Sequence, residues 1–275
     1  MDNYTEDFML YKRIQGVSDK TLKDYEYALN KFYAEGGDLT KGAVNGWIKK
    51  QLDNNVKTVT INHYIRHIRA YVYWCIEEYD LPPFKIKLLK EQEIAPKFFS
   101  DSDIKKLLAK PPKNSSYCTL RTWVMVNFII GTGCRANTVV NIKKDDIQDG
   151  MVILRETKSK KAKALPLTPQ LQLVLNQWSR KCRGEYLFST DDGKQMHYTA
   201  LRRSFVRYCD SRGVAQHNFH GLRHSFARIA VQNGMNAFKL QQWLGHADIS
   251  TTTAYVHLFS DDLKDCVNPL AVMTS

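Results

Sequence analysis

Apolar residues recur at helical spacing through the first ninety residues. Leu22, Tyr25, Leu29 and Phe32 follow Ser18, a serine placed to cap a helix N-terminus, and the run stops at Gly36-Gly37. A shorter helix is predicted over Lys41 to Gln51. A longer one runs from about Thr58 to Glu78, with Ile61, Ile65, Ile68, Val72 and Cys75 on one stripe and Asn62, Arg66 and Arg69 on another face. Pro82-Pro83 ends that helix, and the lysine-rich stretch from Lys85 to Lys97 has no sustained apolar period. The pattern therefore predicts a helical domain over 1–84, a linker over 85–97 and a second domain over 98–275.

The second domain changes period. Ser100 followed by Asp103 resembles a capping box opening a helix with Ile104, Leu107 and Leu108, and Thr122 to Ile130 is an apolar, buried helix. Met151 to Arg155 and Ala164 to Leu167 are short β-type runs around the polar turn Thr157 to Lys163, a hairpin with a lysine-rich tip. Helices or helix starts are predicted at Thr168-Pro169, Tyr198 to Ser211, Leu222 to Asn233, Ala237 to Trp243 and Ser250 to His257. The fold class is mainly α with a small β-sheet: an all-helical N-terminal domain followed by a mixed α/β domain.

Charge adds a partner to this picture. Residues 1–95 hold 14 Lys/Arg and 14 Asp/Glu, whereas residues 96–275 hold 26 and 14, so the whole formal charge of +12 lies in the second part. A polyanion is the implied partner there. The six cysteines occur singly, without a CxxC pair, as expected of reduced thiols in a cytoplasmic protein. No apolar run is long enough to span a membrane, and the acidic, polar start does not resemble a secretion signal.

Chemistry concentrates in His220-Gly221-Leu222-Arg223-His224, then Leu244-Gly245-His246, then Tyr255 nine residues further on. A phenol with a pKa near ~10 is a poor nucleophile at neutral pH. It needs a proton acceptor close by and cations to stabilise a pentavalent phosphorane. Arginine suits the second task because its planar fork bonds two phosphate oxygens at once.

His220, Arg223, His246 and Tyr255, in this order and spacing, resemble the C-terminal signature of the tyrosine recombinase, or phage integrase, family. Gly131-Thr132-Gly133-Cys134-Arg135 is similar to the segment carrying that family's first catalytic arginine. Thr157-Lys158-Ser159-Lys160-Lys161, leading to Leu165-Pro166-Leu167, resembles its lysine-bearing hairpin. Two positions depart from the pattern: Thr138 stands where an acidic residue is frequent, and Cys134 where a larger apolar one is.

The resemblance implies a core-binding, SAM-like N-terminal domain and a catalytic domain that clamp double-stranded DNA recombination sites. It makes Tyr255 the nucleophile, Arg135 and Arg223 the phosphate clamp, and Lys158 the general acid, with Lys160 and Lys161 as neighbours on the same tip. His220 would assist proton transfer, and His246 would bond a phosphate oxygen and support the nucleophile; His224 is expected to be structural. The implied reaction passes through a 3′-phosphotyrosine and a Holliday junction, for integration, excision or resolution of a mobile element or dimer. Neither cofactor nor metal is expected. A homo-tetramer on DNA would form through the tail carrying Leu258, Phe259, Leu263, Val267, Leu270 and Val272, with room for accessory proteins. The short leader before Ser18 implies a minimal form, without the arm-binding domain of larger relatives.

Charge placement suggests DNA contacts at Lys57, Arg66 and Arg69 in the first domain and at Lys143, Lys144, Arg202, Arg203 and Arg207 in the second. Three rival functions remain open: a type IB topoisomerase-like enzyme, a catalytically inactive DNA-binding regulator, and a metallohydrolase using His220 and His224. The last lacks the glutamate that usually lies between such histidines and places Arg223 there instead.

Overall fold

The computed structural model describes residues 4–91, 97–155 and 162–245. The chain divides into two compact units, Met1–Ile94 and Ala95–Ser275.

The first unit holds four helices: α1 (Thr5–Ile14), α2 (Asp19–Ala34), α3 (Lys41–Asp53) and α4 (Thr58–Glu78). Ser18 and Thr40 cap α2 and α3 by accepting from the backbone N–H groups of Thr21 and Ala43. The stripe Ile61, Ile65, Ile68, Val72 and Cys75 is buried along α4, facing Leu29 and Phe32 of α2 across one core. The stretch before Ser18, expected as a plain leader, contains helix α1. Its Phe8 is fully buried, with its ring 5.3 Å from Tyr25, 5.2 Å from Tyr71 and 5.4 Å from Trp74. These partners lie far along the chain, so the helix owes its place to tertiary packing that a local pattern does not contain.

Asn62 is a second correction. Grouped by the pattern with Arg66 and Arg69 on a face away from the apolar stripe, it is instead buried, its side chain donating to the Leu89 carbonyl (2.9 Å) and accepting from the Leu89 N–H (2.8 Å). Ile86 is also buried and donates its N–H to Tyr73 Oη at 3.0 Å. The first residues of the lysine-rich stretch thus pack on the helical unit.

The second unit is built around α6 (Tyr117–Thr132), which is apolar on all sides and buried by α5 (Asp101–Leu108), α8 (Pro169–Ser179), α9 (Tyr198–Ser211) and α10 (Phe219–Gln232). Ser100 caps α5 as the capping pattern predicts, and Thr168 caps α8 ahead of Pro169. Between α6 and α8 lie the single-turn helix α7 (Ala136–Val139) and an antiparallel sheet, β1 (Ile147–Gln148), β2 (Met151–Leu154) and β3 (Lys163–Pro166). The two expected runs form its hairpin, with Leu154 paired to Lys163; β1, only two residues long, has no visible pattern. Helix α11 (Ala237–Leu244) ends the described chain. Among the described residues no helix is long and apolar enough to cross a membrane.

Candidate active site

The site begins where α6 stops. Gly133 ends that helix in the left-handed conformation (φ 64°), which turns the chain so that Arg135 stands at the N-terminus of α7. A Cβ on Gly133 would strike the Phe226 ring and lie 2.8 Å from Leu244 Cδ2. Gly133→Ala should therefore lower stability by about 2–4 kcal/mol, combining backbone strain with overpacking. Chemical denaturation reads this directly; an unchanged midpoint would show that the turn tolerates a side chain.

Arg223 lies on the second turn of α10 with 6% of its surface exposed. Its Nη1 donates to the Gly133 carbonyl at 2.8 Å and its Nη2 to the Leu244 carbonyl at 2.9 Å. One guanidinium thereby joins the ends of α6 and α11. Trp243 reinforces the joint, its Nε1 donating to the Thr132 carbonyl at 2.9 Å and its ring stacking on Phe226.

Beside this joint opens a cavity of about 250 Å³ lined by Arg135, Arg223, Lys163, Thr138, Gln242 and Gly245, with Cys134 and Leu244 among its apolar walls. Three cations and no carboxylate stand among the described residues that line it. The cavity is therefore suited to an anion of phosphate size. Burial pushes the Cys134 thiol up to about 12, which removes it as a rival nucleophile.

Lys163 was not singled out in the sequence. Its Nζ donates to the Trp243 carbonyl at 2.6 Å and to the Gln242 carbonyl, and burial followed by Arg223 and Arg135 holds its pKa below the ordinary lysine value. Period-2 alternation was the available signal. Lys163 shares a strand face with buried Leu165, so one being inside places the other inside.

His220 sits in the first turn of α10, its N–H donating to the Asn218 side chain. Burial, then Arg223 and Arg135, lower its pKa and keep it neutral at pH 7, the form able to accept a proton. His224, one turn on, is pushed down to about 4 by burial, His220 and Arg223. A depressed histidine contributes stability above the unfolded value near 6.5 that is lost as pH falls through its folded value. The fold should lose about 2 kcal/mol from this source between pH 6.5 and pH 4, after discounting for the ring's partial exposure. Urea titrations at both pH values should show that loss in the wild type and much less in His224→Gln.

Arg135, Arg223 and His220 are thus brought together, whereas Lys158, His246 and Tyr255, with the alternatives Lys160 and Lys161 and the apolar tail, lie outside the described residues. Described residues next to two of these stretches reach the cavity. Lys163 of the hairpin and Gly245, the residue before His246, both line the cavity.

The other basic candidates are dispersed. Lys57 is exposed at the start of α4, Arg66 pairs with Glu91 at 3.3 Å and Arg69 is half-buried. Lys143 pairs with Glu185 at 3.1 Å, and Lys144 donates to the Cys182 carbonyl at 2.9 Å. Arg202, Arg203 and Arg207 line a shallow groove on one face of α9 together with Thr199 and Val206.

Comparison with known proteins decides the family: residues 97–261 match the model of the phage integrase family. The chain belongs to that family. As a phage integrase family member it is a tyrosine site-specific recombinase in enzyme class, as the residue signature implied. It is similar to tyrosine recombinase XerA of Thermococcus kodakarensis, 27% identical over 266 residues covering 94% of this chain and 92% of the relative. It also resembles tyrosine recombinase XerD of Listeria monocytogenes serotype 4b, 26% identical over 296 residues covering 96% and 97%. The fold of this integrase family member is shared by a lambda integrase dimer bound to a COC′ core site (TM-score 0.73, 18% identity, 90% of this chain and 95% of that one). It is shared too by XerH bound to a palindromic difH substrate in a post-cleavage complex (TM-score 0.73, 18% identity, 96% and 83%).

Proposed function

We propose that the chain cleaves and rejoins double-stranded DNA at specific sites through a covalent link to Tyr255. The cavity that gathers Arg135, Arg223 and Lys163, with no carboxylate among the described residues that line it, is the observation that carries this reading. Tyr255 Oη attacks the scissile phosphorus, the Oη–P bond forms, and the bond from phosphorus to the 5′ oxygen breaks. Neutral His220 takes the phenolic proton, Lys158 protonates the leaving oxygen, and His246 bonds a phosphate oxygen. Arg135 and Arg223 stabilise the charge that grows on the nonbridging oxygens, where fixed donors act most strongly. Lys163 adds a third positive charge on the same side. A 5′ hydroxyl of a partner strand reverses the step, so the phosphoester is conserved and no nucleotide is consumed.

The substrate would be two duplex sites held by four copies of the chain, exchanging strands through a Holliday junction during integration, excision or resolution. The solved lambda integrase tetramer bound to a Holliday junction, whose fold this chain shares, supports this assembly. A helical unit over 1–84 and a catalytic unit over 98–275 would grip the DNA, joined by 85–97. The apolar tail after Tyr255 would dock on a neighbouring copy.

The test is incubation with nicked suicide duplexes drawn from the chain's own genetic surroundings, followed by denaturing electrophoresis. A denaturation-resistant protein–DNA adduct supports the reading, and salt-sensitive binding without any adduct would favour an inactive DNA-binding regulator. A chain lacking residues 260–275 should still cleave but fail to exchange strands; unchanged exchange would rule out the docking role. Relaxation of supercoils without recombination sites would instead point to topoisomerase-like action. Among the DNA contacts, the α9 face supports the clearest expectation. Arg202→Ala, Arg203→Ala and Arg207→Ala combined should reduce the slope of log affinity against log salt by about 2–3; an unchanged slope would place the phosphate backbone elsewhere.

A further inference from the structure

Helices α2 and α4 of the first unit bring Asp24, His63 and His67 together, with one donor atom from each lying within 4.8 Å of the others. The two histidines are four residues apart on α4 and so share a face, and Asp24 comes from the helix packed beside it. We propose that these three side chains bind one divalent ion of the zinc class, which fastens α2 to α4.

The geometry around His67 favours this over three unrelated surface groups. Its Nδ1 lies 2.8 Å from the His63 carbonyl oxygen, so Nδ1–H donates there and Nε2 keeps the lone pair an ion requires. That is the arrangement in which a backbone carbonyl fixes the tautomer and orientation of a metal-ligating histidine. The His63 ring stands edge-to-face with it, 4.6 Å between centroids, and the Tyr25 ring closes another side at 4.7 Å. The guanidinium of Arg66, on the turn between the histidines, is drawn to Glu91 at 3.3 Å.

Two imidazoles and one carboxylate suit zinc, nickel or cobalt better than calcium or magnesium, which prefer all-oxygen sets. Bonds of about 2.0–2.2 Å require donors roughly 3.3 Å apart. The three side chains must therefore close by up to about 1.5 Å, a rotation open to residues that are exposed or half-buried. Water would complete the coordination. The ion has no part in phosphoryl transfer; it restrains the helix that carries Arg66 and Arg69.

The experiment titrates Co²⁺, and separately Zn²⁺, into the metal-free full-length protein. One equivalent of Co²⁺ should give a visible d–d absorption that Zn²⁺ displaces, and Zn²⁺ should raise the unfolding temperature. His63→Asn combined with His67→Asn should weaken binding at least about tenfold and abolish both signals. Asp24→Asn, which keeps both rings, should weaken binding while its circular dichroism matches the wild type. No binding by the wild type, or equal affinity and absorption in the histidine variants, would overturn the proposal.

Discussion

Tyr255→Phe should leave binding to a recombination site within about twofold of wild type and yield no covalent adduct on suicide duplexes, a loss of at least about 10⁴-fold in cleavage. The two halves of this result have separate causes. Affinity comes from phosphate contacts made by cations, which the substitution does not touch. The proposed cleavage needs the Oη lone pair, and among the described residues lining the cavity the thiol of Cys134 offers no substitute because burial holds it protonated. An adduct persisting in the phenylalanine variant would move the nucleophile to another residue.

The second large effect is expected at Arg223, and it differs in kind from that at Arg135. Both guanidinium groups line the cavity, so replacing either by alanine should reduce cleavage by about 10²–10⁴-fold, the range for lost transition-state charge stabilisation. Arg223 also satisfies the carbonyls of Gly133 and Leu244, whereas Arg135 is half-exposed at a helix start. Arg223→Ala leaves two acceptors unsatisfied and should cost a further ~2–6 kcal/mol of stability, at about 1–3 per group. Arg135→Ala should cost under about 1 kcal/mol. Arg223→Lys separates the roles, since an ammonium keeps the charge but lacks the fork that spans both carbonyls. Guanidinium chloride unfolding beside cleavage rates measures both effects. Equal stability losses at the two arginines would refute the bracing role of Arg223.

Much of this was legible in the sequence because it is local chemistry. Ser18, Ser100 and Thr168 cap helices from their own neighbourhoods, and the boundaries of the helix Tyr198–Ser211 follow from spacing alone. Arg223 and His220 stood out by residue type and order, because phosphoryl transfer demands cations and a base, and Arg135 stood out through the family resemblance of the segment that ends in it. What escaped depends on distant partners. Phe8 is packed by rings from three later positions, Asn62 is claimed by a backbone segment 27 residues on, and Lys163 reaches carbonyls on α11, 79 and 80 residues away. Of these only Lys163 leaves a periodic trace, through its strand face shared with Leu165.

The brace formed by Arg223 also predicts how loss of function would look to a geneticist. Because Gly133, Phe226 and Leu244 hold the helix ends it ties together, alleles at those positions should be conditional, defective when warm and rescued by cooling. Alleles at Tyr255 should be null at every temperature. A collection of recombination-deficient strains sorted by growth temperature would thus separate the scaffold of the pocket from its reacting atoms.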